Sequence, residues 1–64
     1  INRNILVKEM PVMANAMHPN ALLMMSGFLN QDLPVIREAA AASGLHFIYT
    51  ETDNEWAAIT FKKP

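Results

Sequence analysis

Few residues in this chain could do chemistry, and none of them forms a nucleophile–base pair. The two histidines, His18 and His46, fall on separate elements, and there is no cysteine. A metal site built from so few ligands is therefore disfavoured. Glu51, Asp53 and Glu55 crowd one short stretch, which reads first as a solvated turn. Asn2, Arg3 and Asn4 come just before a periodic apolar run, where an asparagine commonly caps a helix and its neighbours face water. Ser26 and Gly27 end the apolar run Ala21–Met25. They serve either as a small-residue corner between strand and loop, or as a place where a bound chain can approach the backbone closely. Trp56 opens a strand-like segment, a place where a tryptophan is more often core than pocket wall.

Composition narrows the classes. The chain has 64 residues, 52% of them hydrophobic and 17% charged, with a net charge of -1. That balance fits a small globular domain and argues against bulk electrostatic binding of nucleic acid. The apolar stretch Ala21–Leu29 is far too short to span a bilayer, so no membrane partner is expected. The first residue is isoleucine, and no signal-peptide layout follows it. The expectation is a single partial domain over 1–64, cut from something longer.

The elements that must position these residues are legible in the periodicity. Leu6, Met10, Met13 and Met17 fall at steps of four, three and four, one face of a helix with Asn4 as its cap. Pro11 is expected to kink that helix or to delay its regular part to about Met10. The five methionines read as core filler, some of them uncovered if neighbouring strands are missing. His18-Pro19-Asn20 makes a turn. Ala21–Met25, continuously apolar, predicts a short strand buried on both faces. Asp32 is the expected cap of a second helix over Leu33–Ser43, with Leu33, Ile36 and Ala40 inward, Arg37 and Glu38 outward, and Gly44 as its stop. Two alternating runs, Leu45–Thr52 and Trp56–Lys62, should form a hairpin around Asp53 and Asn54. In the Leu45 run, Leu45, Phe47 and Tyr49 should share one side. The order is α-β-α-β-β. The expected fold class is α/β, with a three-stranded mixed sheet whose last strand is central and antiparallel to its neighbours.

Such an ending resembles the class I, Rossmann-like S-adenosylmethionine-dependent methyltransferases. Three segments narrow the resemblance: Ile1-Asn2-Arg3-Asn4-Ile5-Leu6, Met25-Ser26-Gly27-Phe28 and Asn54-Glu55-Trp56-Ala57-Ala58-Ile59. In order and spacing they are similar to the C-terminal third of the ribosomal protein L-eleven methyltransferase (PrmA) family. That family has an Ala-Asn-Ile segment after its fourth strand, a Leu-Ser-Gly corner after its fifth, and a Glu-Trp pair opening its last strand. The resemblance covers essentially the whole chain. His18-Pro19-Asn20 stands where the family has a Lys-Pro-Gly-Gly-type turn. The family's asparagine would fall just before Ile1 and is carried over to no residue here.

The resemblance implies a cytoplasmic parent enzyme that uses S-adenosylmethionine to methylate amino groups of a ribosomal protein. Methyl transfer needs no nucleophile–base pair in the protein, because the cofactor carries an activated methyl group and the protein mainly orients it. The family's glycine-rich cofactor loop and ribose-binding acid would lie upstream. No cofactor-binding and no catalytic residue is therefore expected in this chain, nor activity from it alone. Asn2, Arg3, Ser26, Gly27 and Trp56 are the substrate-side candidates. The edge strand Ala21–Met25, stripped of its neighbour, is expected to promote self-association. Two rival readings stay open: a free-standing α/β interaction module, and a piece of another nucleotide-binding α/β enzyme.

Overall fold

The computed structural model describes residues 3–64, so Asn2 lies outside the described residues. The elements are α1 (Arg3–Ala16), β1 (Leu22–Leu29), a 3-10 turn (Asn30–Asp32), α2 (Leu33–Ala42), β2 (His46–Asp53) and β3 (Trp56–Lys62). The strands lie in the order β1-β3-β2. β3 is antiparallel to both neighbours. β1 and β2 thus run in the same direction but never touch, and the sheet is antiparallel at each of its ladders rather than mixed.

The core forms where both helices meet one face of the sheet. Leu6, Met10 and Ala14 of α1 and Ile36 and Ala40 of α2 pack with Phe28, Leu45, Ala57, Ile59 and Phe61. Alternation on β3 places Ala57, Ile59 and Phe61 toward the helices. Trp56, Ala58, Thr60 and Lys62 therefore point to the opposite face. The small side chains of Ala14 and Ala40 are fully buried, which brings the helix backbones close to the sheet. The expected face of α1 holds, with Met13 and Met17 only partly buried at its margin and Ala14 added to its centre.

Several local expectations are corrected. α1 is helical from Arg3, so Asn4 lies within the first turn and is not its cap. The helix also continues through Pro11. The regular helix is therefore not delayed to Met10, and the exposed Pro11 simply has no N–H to donate to the Val7 carbonyl one turn earlier. Asp32 occupies the cap position of α2, but its carboxylate makes no capping hydrogen bond. It pairs instead with Arg3, Nη1 to Oδ1 at 3.2 Å. The end of α2 follows its expected chemistry. Gly44 at φ +84° lets its N–H donate to the Ala41 carbonyl while the Leu45 N–H donates to Ala40. Arg37 is exposed yet stacks its guanidinium 3.9 Å from the Phe47 ring centre.

The strands differ most from expectation. β1 reaches Leu29 rather than ending at Met25, and Ser26-Gly27 is no strand-ending corner. The register jumps from Ser26↔Ala58 to Phe28↔Ala57, so Gly27 is the extra residue of a β-bulge, at φ +89°. Nor is β1 buried on both faces: Leu23 and Met25 pack inward, while Leu22 and Met24 are 59% and 70% exposed. A second register jump between Phe47 and Tyr49 makes Ile48 the extra residue in β2. Phe47 stays opposite Phe61, ring edge to face at 6.5 Å, whereas Tyr49 turns to the open face opposite Thr60.

Candidate functional site

The open face of the sheet, at the hairpin end, holds a cavity of about 290 Å³. β1 contributes Ser26 and Gly27, β3 contributes Trp56, Ala57 and Ala58, and β2 contributes Glu51, Thr52 and Asp53. The register accounts for the grouping. Ser26, Ala58 and Glu51 form one row across the three strands, and Asp53 lies opposite Trp56. Ala58 gives the central strand a low floor, and the bulge at Gly27 removes a side chain from one wall. A second hollow of about 250 Å³ continues along the same face, between Met24 and Tyr49 over Thr60.

Of the substrate-side candidates, three come together: Ser26, Gly27 and Trp56. Trp56 is 56% exposed, which corrects its reading as core. Arg3 stands apart from the cavity, bound to Asp32, and Asn2 lies outside the described residues. The acidic stretch divides: Glu51 and Asp53 line the cavity, and Glu55 does not. All three are exposed, as a solvated stretch should be, but that reading did not place Glu51 and Asp53 on the cavity wall. The signal was present in the alternation, since 51 and 53 on one strand and 56 and 58 on the next share a face across a tight hairpin. Among the described residues, no three potential metal ligands come together. Nor, among the described residues, is any helix long and apolar enough to cross a membrane.

The hairpin tip is fastened to the end of β1. The Asn30 N–H donates to the Glu55 carbonyl at 2.9 Å. Its side-chain Nδ2 donates to the Asn54 carbonyl at 3.0 Å. Asn54 itself turns the chain at φ +58°, a conformation asparagine tolerates better than most residues. At the other end of the sheet, Lys63 Nζ donates to the Ala14 carbonyl near the C-terminus of α1, at 2.5 Å. Cations are favoured there by the helix dipole. One side of the cavity is thus framed by a two-residue turn held by two hydrogen bonds rather than by a free loop.

Comparison with known proteins gives one consistent family. The model of the family described as ribosomal protein L11 methyltransferase (PrmA) matches residues 1–64. A ribosomal protein L11 methyltransferase of Phocaeicola vulgatus is 48% identical over 61 residues, which are 95% of this chain and 22% of that protein. The protein of the same name from Bacteroides thetaiotaomicron is 46% identical, again over 95% of this chain and 22% of its own length. That of Porphyromonas gingivalis is 38% identical, over 95% of this chain and 21% of its own. The chain thus spans about a fifth of the length of these relatives. With a family match over every residue and relatives well above 30% identity, the chain belongs to the ribosomal protein L11 methyltransferase family.

Proposed function

We propose that this chain is the C-terminal sector of a class I, Rossmann-like methyltransferase domain, and that it forms the acceptor-side wall of the active site. The parent enzyme, in the cytoplasm, transfers methyl groups from S-adenosylmethionine to amino groups of ribosomal protein L11, the protein named in its relatives. The observation that carries this reading is the cavity where Ser26, Gly27 and Trp56 meet, on a chain that matches the family throughout. The cofactor supplies the activated methyl group, and the residues here orient the amine that receives it. The Trp56 ring offers a flat, electron-rich wall to an arriving ammonium-bearing side chain, and the carboxylates of Glu51 and Asp53 stand at the mouth. The ammonium must lose its proton to water before its nitrogen lone pair can take the methyl group, whose bond to sulfur breaks as the new one forms. The bulged Gly27, without a side chain, lets the substrate backbone come near. Cofactor binding falls to parts of the parent outside this chain, so the chain alone is inactive.

The test is a chimera in which this chain replaces the matching segment of the Phocaeicola vulgatus relative. In that chimera, Trp56→Ala should lower kcat/KM for ribosomal protein L11 roughly tenfold to a hundredfold, the usual scale for a misplaced acceptor. Affinity for S-adenosylmethionine should stay unchanged. An unaltered kcat/KM would remove Trp56 from the acceptor wall.

A further inference from the structure

We infer that Asn30 is a positioning residue, whose two hydrogen bonds to the hairpin tip hold Trp56 in place on the wall of the cavity it shares with the bulged Gly27. Leu29 and Trp56 are the last paired residues of the β1–β3 ladder. Beyond them the two strands would be free to splay, as ladder ends do. The Asn30 main chain adds one further rung by donating to the Glu55 carbonyl. Its side-chain amide then reaches past that rung to the Asn54 carbonyl, on the far side of the turn. The two bonds grip the two residues between β2 and β3, which opposes rotation of the tip about the final rung. Asn54 is in the left-handed region, and its carbonyl direction is set by that turn. An acceptor fixed in this way makes the amide bond a gauge of the tip's orientation. Trp56 follows the turn directly, and Asp53, its partner in register, precedes it. Both line the cavity, so a swing of the tip would move two of its walls together.

The residue type is specific to the task. Reaching a carbonyl requires a donor, which aspartate lacks at neutral pH, and a carboxylate at 30 would add charge beside Asp53 and Glu55. Serine is too short to span the gap that the asparagine amide bridges at 3.0 Å. Asn30 is not among the residues that line the cavity, so its effect passes through Trp56. This role rests on the reading of Trp56 as an acceptor-side wall. The grip itself does not.

Two measurements separate the grip from that reading. Trp56 is the only tryptophan, so its indole N–H is a unique NMR probe in the chain itself. In Asn30→Ala, backbone order parameters for 53–56 should fall from about 0.85 toward 0.6 or below, and the indole should become more mobile, with the rest of the sheet unchanged. Asn30→Gln, which keeps a donor, should restore most of the order. If the alanine chain loses its cooperative melt, Asn30→Ser gives the same test with a milder change. Unchanged order at the tip in the alanine chain would overturn the proposal. In the chimera, Asn30→Ala should lower kcat/KM for ribosomal protein L11 roughly tenfold without altering the KM for S-adenosylmethionine, and Asn30→Gln should recover it. A mobile tip with unaltered kcat/KM would overturn the positioning role and, with it, the reading of Trp56, while leaving the grip in place.

Discussion

Gly27 sits at φ +89° inside a strand, with nothing within 4 Å of the place where a Cβ would stand. The conformation, and not space, is what requires glycine there. Gly27→Ala should therefore cost about 1–2 kcal/mol, the penalty of the left-handed region for a residue with a Cβ. Urea denaturation would read this as a lower midpoint at constant slope. Ile36 is the contrasting case, fully buried between α2 and the sheet. Ile36→Ala should cost about 2–5 kcal/mol through lost contacts and the cavity left behind. A small domain has only about 5–15 kcal/mol in total, so that variant should melt far below the parent chain. Individual residues were legible where local pattern decides, as with the stop at Gly44 or the inward Ile36. Asp32 was not, because its choice between capping α2 and pairing with Arg3 depends on where α1 begins, a distant fact. Trp56 was misplaced for the same reason: a tryptophan opening a strand is core only if something covers that face, and here nothing among the described residues does.

At the scale of elements, periodicity located both helices and all three strands to within a few residues, but it could not see the two bulges. A bulge leaves the hydrophobic pattern nearly intact and changes which face the following residues take. Ile48 moved Tyr49 to the open side, and the bulge at Gly27 carried β1 past its apparent end to Leu29. The bulge at Gly27 is the reason Ser26-Gly27 looked like a corner. β1 has a further consequence. It pairs with β3 alone among the described residues, and its outer edge from Leu22 to Met25 carries no charge. Edges of this kind invite pairing with another strand. The isolated chain should associate through β1, with a sedimentation coefficient that rises with concentration. A lysine on the exposed side of the strand, Met24→Lys, should shift that equilibrium toward monomer. A chain that stays monomeric across a hundredfold concentration range would show that the edge is not adhesive.

The whole molecule reads as a half-covered sheet: two helices on one face, and on the other an open surface bearing Leu22, Met24, Tyr49 and Trp56, each more than 40% exposed. A free-standing module would gain by covering the Leu22, Met24 and Tyr49 part of such a surface, whereas a sector of a larger domain can have that part covered by the rest of the parent and keep the Trp56 end open to a substrate. The chain alone should accordingly bind S-adenosylmethionine no more tightly than millimolar, as checked by chemical-shift titration. Saturable shifts at lower concentration would place cofactor contacts within these residues. The three segments that carried the family resemblance lie where chain geometry matters most: the start of α1, the bulge of β1 and the opening of β3. This is why the family was legible from so short a sequence even though the roles of its residues were not.

The proposed role, an acceptor-side sector of a ribosomal-protein methyltransferase, is tested most directly by the unmutated chimera with the Phocaeicola vulgatus relative, incubated with S-adenosylmethionine and ribosomal protein L11, with methyl incorporation followed by mass spectrometry. Methylation of L11 amino groups should proceed at a rate within about tenfold of the intact relative, as expected when the orienting groups are preserved. A folded chimera that binds S-adenosylmethionine normally yet leaves L11 unmethylated would contradict it.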